Sequence, residues 1–104
     1  MTFAVRLSAG AEDDLERLFD FLLERARTLE ELAEAQVTLD ALRAAIQHQL
    51  GAMPFSFRKA GRETTRRELV VPSGSTGYVV LYEIAGPFDV VVLAVRHQRE
   101  EDYH

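Results

Sequence analysis

A two-layer α+β domain, with an antiparallel sheet covered on one face by a helical hairpin in the order β-α-α-β-β-β, is the fold class this sequence predicts. Three observations carry it: two amphipathic helical stretches that nearly abut, three strand-like runs with short turn clusters after them, and a brief alternating segment in front. The 104 residues suit a single domain spanning 1–104, and 47% hydrophobic side chains allow one core without covalent staples.

Phe3 to Leu7 alternates apolar with small or polar residues, which predicts a short first strand. Ser8 is placed to cap a helix, and Glu12, Asp13 and Asp14 put carboxylates in its first turns, where the helix dipole favours them. Ala11, Leu15, Leu18, Phe19, Leu22 and Ala26 recur at three- and four-residue intervals, so one stripe is apolar; the helix should stop near Arg27. Thr28-Leu29-Glu30-Glu31 reads as a capping box opening a second helix, whose inner stripe is Leu32, Ala35, Leu39, Leu42, Ile46 and Leu50. Gly51 is expected to supply a left-handed stop, with Pro54 preventing resumption. Helices joined this closely fold back as an antiparallel hairpin, and both stripes then need a common surface to cover.

Three runs supply that surface: Arg67 to Val71, closed by Pro72; Tyr78 to Ile84, after the turn cluster Ser73 to Gly77; and Phe88 to Arg96, after Ala85-Gly86-Pro87. The short turns between them predict an antiparallel meander. The stretch from Phe55 to Thr65 is expected to be a loop with room for a short extra strand.

No cysteine is present, which rules out disulfides and thiolate metal sites. His48, His97 and His104 lack metal-ligand spacing; His48 falls on the polar side of the second helix and His104 is the terminal residue, so no metal and no cofactor is expected. Ser73-Gly74-Ser75 is a turn rather than a nucleophile elbow, and no phosphate-cradling glycine loop occurs. Nothing at the amino terminus has the pattern of a signal peptide, and the longest purely apolar run, Val90 to Val95, is too short to span a bilayer. A soluble, cytoplasmic protein without membrane contact is expected.

The net charge of −5 argues against a nucleic-acid coat, but its distribution is uneven. Residues 1–50 carry ten acidic and five basic side chains, whereas residues 51–104 carry seven of each. Arg58, Lys59, Arg62, Arg66 and Arg67 lie within ten residues, opposed only by Glu63, and suit an acidic partner, a phosphate backbone or plain solvation. The polar run from Arg96 to His104 closes the last strand. Successive strand residues face opposite sides, so Arg96 and His97 point to different faces. A buried Arg96 needs a partner, for which Glu68 or Glu83 on neighbouring strands is placed. His97, at a strand end, suits recognition or proton transfer.

Several blocks together carry a family resemblance. Ala11-x-x-Asp14-Leu15-x-x-Leu18-x-x-Phe21, Leu50-x-x-x-Pro54, Arg67-Glu68-Leu69, Gly77-Tyr78-Val79-Val80-Leu81-Tyr82 and Val95-Arg96-His97-Gln98-Arg99-Glu100 are similar, in order and spacing, to those of the ParE/RelE superfamily. These are the toxins of bacterial type II toxin–antitoxin systems, and the match runs over nearly the whole chain. The resemblance implies a ParE/RelE-like fold and a growth-arresting toxin of the kind that stabilises plasmids.

ParE-like members poison DNA gyrase without being hydrolases, whereas RelE-like members are ribosome-dependent, metal-independent endoribonucleases that cut messenger RNA. The acidic balance, the single lysine and the Arg-His-Gln-Arg-Glu block look more like ParE. That branch implies no catalytic residue and a target met by Arg96, His97, Arg99 and Tyr103. The ribonuclease branch would draw its base, acid and cations from Arg66 or Arg67, Arg96, His97 and Tyr103. Antitoxins of this superfamily, ParD-like or similar, wrap an amphipathic segment across hairpin and sheet. Arg58, Lys59, Arg62, Arg66, Arg67, Leu18 and Phe21 are expected to receive it. The toxin alone is not expected to bind DNA sequence-specifically. A third reading, a module that binds antitoxin without being toxic, stays open.

Overall fold

Strand β1 (Ala4–Leu7) leads into α1 (Ala9–Arg25) and α2 (Leu29–Ala52), and a 3-10 turn at Pro54–Ser56 follows. The remaining strands are β2 (Arg58–Lys59), β3 (Arg66–Ser73), β4 (Thr76–Gly86) and β5 (Asp89–His97). This is the architecture of a computed structural model that describes residues 2–62 and 64–104, so Glu63, expected to oppose the basic cluster, lies outside the described residues. The expected two-layer α+β arrangement is present, with β2 as the extra strand of the Phe55–Thr65 stretch.

Both helix starts follow their capping residues. The Ser8 hydroxyl accepts the Ala11 N–H at 3.1 Å, and the Thr28 hydroxyl accepts that of Glu31 at 3.1 Å. The Glu31 carboxylate reaches back one residue further than a capping box requires, to the N–H of Arg27. Two expected ends are corrected. α1 finishes at Arg25, because Ala26 is already extended. Gly51 is not left-handed but helical, and the helix runs on to Ala52 before Pro54 stops it. Its carbonyl is occupied by the N–H of Phe3 at 2.8 Å, which ties the end of α2 to the start of β1.

The sheet has the order β1-β5-β4-β3-β2. β2 to β5 are antiparallel, as expected of a meander, but β1 lies parallel to β5, so the sheet is mixed. No tight turn joins these two neighbours; the helical hairpin and three strands intervene, and a connection of that length permits parallel pairing. Gly74 has φ 59 in the two-residue turn between β3 and β4, a conformation costly for any side chain with a Cβ.

Leu15, Leu18, Leu39, Leu42, Ile46 and Leu50 of the helices pack on Leu69, Val71, Tyr78, Val80, Tyr82, Val90, Val92 and Val95 of the sheet. Burying each such side chain contributes roughly 1.5–3 kcal/mol. A bulge sets which residues of β5 join them. Tyr82 pairs with Val92 but Leu81 with Ala94, so Leu93 is an extra residue and the alternation is rephased beyond it. Val90 and Val92, then Val95 and His97, consequently face the helices, while Ala94 and Arg96 face the other side. No helix among the described residues is long and apolar enough to cross a membrane.

Candidate functional site

β1 pairs with β5 only as far as Leu7 opposite Val92, and the rest of that edge needs other partners. α1 supplies them. The Ser8 N–H donates to Val92 O at 2.9 Å and its hydroxyl to Leu93 O at 3.2 Å, which satisfies the carbonyls around the bulge. The Asp14 carboxylate, 6% exposed, accepts the N–H of Val95 at 2.8 Å. Arg17 lies one turn on, with its guanidinium 3.8 Å from Asp14 and 3.4 Å from the carbonyl of Val95. The amino-terminal half of α1 therefore covers the open edge of β5 and aims Arg17 at the strand's end.

Beyond that end the chain turns back on itself. The Glu100 N–H donates to His97 O at 3.0 Å, while its carboxylate accepts the His97 N–H at 2.8 Å and Arg17 Nη1 at 3.0 Å. His104 also meets the Glu100 carboxylate. Partial burial alone would raise the Glu100 pKa, but the His97 N–H, His104 and Arg17 outweigh it and hold the carboxyl below its usual value.

His97 and Arg96 are separated by the sheet, as the strand alternation requires. On the helix side, His97 packs edge-on against Tyr78 with ring centroids 5.4 Å apart. Its Nδ1 accepts the N–H of Arg99 at 3.1 Å, which places the ring proton on Nε2, 3.1 Å from the Thr76 hydroxyl. Both imidazole nitrogens are thereby engaged. On the outer side, Arg96 donates to Glu100 O at 2.6 Å and lies 5.2 Å from the centroid of the Tyr103 ring. Tyr103 donates to Glu68 at 2.5 Å, and Glu68 accepts Arg58 Nε at 3.0 Å. Burial, with Glu68 beside it, pushes the Tyr103 phenol well above its usual pKa. The expected ion pair of Arg96 with Glu68 or Glu83 does not form: Arg96 takes backbone carbonyls, and Glu83 meets Arg66 at 4.0 Å and Thr65 at 3.2 Å.

Between the two helices and the His97 end of the sheet lies a groove of about 490 Å³. Leu18, Phe21, Leu22 and Tyr78 give it apolar walls, and Arg17, Arg25, Arg99 and Glu100 charge its rim. Phe21 is 50% exposed, with the Arg25 guanidinium 5.3 Å from its ring. Leu18, expected among the residues that receive an antitoxin, is 3% exposed, because its position on the apolar stripe turns it toward the sheet, and it meets the groove as part of its wall.

The basic segment is less free than its composition implies. Arg58 pairs with Glu68, Arg66 with Glu83, and Arg67 donates to Phe57 O at 2.7 Å with its guanidinium 5.8 Å from the Phe55 ring. Lys59 and Arg62 are exposed and have no ion pair among the described residues. The outer flank of α1 is acidic rather than receptive to acids, since Asp13, Glu16, Asp20 and Glu24 line it.

The four residues of the ribonuclease branch are not gathered. Arg96 and Tyr103 share the outer face, and His97 lies opposite. Arg67 pairs with Tyr82 on the helix side, four positions along β4 from the Tyr78 that pairs with His97. At about 3.3 Å per strand residue, that is roughly 13 Å along the sheet. Among the described residues no cluster suited to a metal ion occurs. Sequence reading missed Asp14, Arg17 and Glu100 as organisers of this region. Asp14 did carry a signal, as a carboxylate on the apolar stripe between Ala11 and Leu18; Arg17 and Glu100 are ordinary surface residues until the tail's path is known.

A small α+β domain with a helical hairpin on one face of a mixed sheet is the class these features define, and comparison with known proteins gives its family. The model for "ParE toxin of type II toxin-antitoxin system, parDE" matches residues 5–102. A curated relative, Toxin RelE1 of Caulobacter vibrioides, is 35% identical over 101 residues, 97% of this chain and 99% of its own. A chain from a structure described as the chromosomal ParDE TA system from P. aeruginosa superposes with a TM-score of 0.68 at 13% identity, covering 95% of this chain and 97% of its own. That last likeness shows the fold. The chain belongs to the ParE toxin family of type II toxin–antitoxin systems.

Proposed function

We propose that this protein arrests growth by inhibiting DNA gyrase, with the tail from Arg96 to His104 meeting the target and a ParD-like antitoxin covering the groove. The observation that carries this reading is the state of His97. A metal-free ribonuclease needs a base and an acid converging on one phosphate, yet both nitrogens of this imidazole are held by Thr76 and Arg99. Arg96 and Tyr103 lie across the sheet from it. A surface that binds and blocks asks only that cations and aromatic groups be presented rigidly, and Arg99 beside the ordered tail does so. The acidic balance of the chain and its single lysine also suit a protein target better than ribosomal RNA.

The antitoxin's place follows from chemistry. Apolar walls with Arg25 and Arg99 at the rim suit an amphipathic segment whose apolar side chains are flanked by carboxylates. Lys59 and Arg62 offer it a second anchor. Arg99, Glu100 and His97 belong to both groove and tail, so a bound antitoxin would mask part of the target surface directly.

The second reading, ribosome-dependent cleavage of messenger RNA, takes its support from the name of the Caulobacter relative. Pulse labelling after induction without antitoxin separates the two. The gyrase reading expects DNA synthesis to fall while methionine incorporation continues at first. Immediate loss of methionine incorporation would favour the ribonuclease, and unimpaired growth at verified soluble expression would leave a non-toxic binding module.

A further inference from the structure

Glu100 makes more connections than any other residue of the tail. Its carboxylate binds the His97 N–H at 2.8 Å, Arg17 Nη1 at 3.0 Å and His104, while its carbonyl accepts Arg96 Nη1 at 2.6 Å and its N–H donates to His97 O at 3.0 Å. These contacts tie the tail, including His104, to the end of β5 and to α1, which already meet through Asp14 and Val95. Arg17 is itself placed by α1, through Asp14 at 3.8 Å and Val95 O at 3.4 Å. The tail conformation is thus referred, through one ion pair, to a helix packed on the core. Arg99 hangs from the turn that Glu100 closes, and its N–H is held by His97. Without the pair, residues 98–104 would keep Tyr103 on Glu68 but lose their link to α1.

We propose that Glu100, held by Arg17, is a positioning residue for target binding: it fixes the turn after β5 so that Arg99 stands at the groove rim while Tyr103 lies on the outer face. This rests on the reading that the tail meets the target. It adds that the tail works only in one shape, and that the shape is set from α1. Ordering the tail beforehand removes the entropy that binding would otherwise have to offset.

The test uses the full chain and three substitutions. Glu100→Gln keeps an oxygen for the His97 N–H but removes the charge facing Arg17. Arg17→Met keeps the aliphatic stem, and Arg17→Lys keeps the charge. Carboxypeptidase release of the last residues reads tail order, thermal unfolding reads the fold, and growth arrest at matched soluble expression reads potency whatever the target is. Glu100→Gln and Arg17→Met should each speed release and weaken potency by about fivefold, with the double variant no worse than either single and Arg17→Lys recovering most of both. Fast release with undiminished potency would overturn the proposal, as would unchanged release or additive losses in the double variant. If the wild-type protein arrests growth without affecting gyrase, only the choice of target fails; the positioning role stands or falls on the variants.

Discussion

The carboxylate of Asp14 in α1 accepts the backbone N–H of Val95 in β5 at 2.8 Å, across 81 positions of sequence. It does so just past the bulge at Leu93, where β1 no longer pairs with β5. One side chain therefore replaces a missing strand at the point where the sheet reverses which residues face the helices. Asp14→Ala should leave that N–H without a partner in a buried setting and cost about 1.5–3 kcal/mol, read by urea denaturation. Asp14→Asn, which keeps an acceptor oxygen, should cost less. Equal stability of wild type and Asp14→Ala would mean that the edge is satisfied some other way.

Gly77 is required by space. A Cβ there would lie 2.8 Å from Val71 O, a backbone atom of the paired strand, and 3.2 Å from the Gln98 side chain. Gly77→Ala should force β3 and β4 apart and destabilise the domain by about 1–3 kcal/mol. For a domain of this size that is a fall in Tm of roughly 4–8 °C per kcal/mol, measurable by thermal unfolding.

Tyr82 is fully buried, and its hydroxyl donates to Pro54 O at 2.5 Å, fastening the 3-10 turn beneath the sheet. Burial pushes its pKa up to about 12, despite the opposing influence of Arg67. Tyr82→Phe should cost about 1–2 kcal/mol by leaving that carbonyl unpaired, with antitoxin binding unchanged in the refolded protein. A neutral effect in chemical denaturation would show that water replaces the phenol.

The helical half of the fold was legible because each signal was local: Ser8 and Thr28 cap the helices they were expected to cap, and the apolar stripes form the core. The three long strands were legible from their alternation. The bulge was not, since nothing in a run of valines, leucine and alanine marks which residue is extra, and that residue decides whether Arg96 or His97 faces the helices. From the sequence the tail is a polar run that closes the last strand. It instead folds onto the outer face through Tyr103 and onto α1 through Glu100, contacts that span 35 and 83 positions. That Arg96 and His97 lie on different faces was legible from strand alternation, while which of them faces the helices needed the structure.

The Glu100 carboxyl is held below its usual pKa, so its contribution to tail order is full above the unfolded value and is lost as pH falls through the lower folded value. The charged and titratable groups around it are Arg17 and Asp14 of α1, Arg96 and His97 at the end of β5, and His104. Carboxypeptidase release, assayed after a brief acid pulse with fresh return to neutral pH, should be unchanged. Protection of the tail amides, followed by NMR and corrected for intrinsic exchange, should fall as the Glu100 carboxyl is protonated, before the core amides of β4 open. Simultaneous opening of tail and core would remove the independent latch.

Arg99 separates target contact from folding because its side chain is exposed and makes no ion pair among the described residues. Arg99→Ala should leave Tm nearly unchanged and reduce growth arrest by about tenfold, a loss in the range of one charged contact. Removing Tyr103 and His104 is less clean, since it also removes the phenol bound to Glu68 and the ring beneath Arg96. Full potency of Arg99→Ala would move the target surface to Lys59 and Arg62.

On the proposed reading, this ParE-family toxin acts on gyrase rather than on messenger RNA. The most direct measurement incubates purified protein with gyrase, ATP and relaxed plasmid, quantifies supercoiling and protein-linked DNA breaks, and runs the same preparation in a cell-free translation reaction. Loss of supercoiling with accumulated breaks, needing about tenfold more protein for Arg99→Ala and accompanied by normal translation, is the predicted result. Codon-positioned cleavage of messenger RNA on ribosomes, with gyrase unaffected, would contradict it.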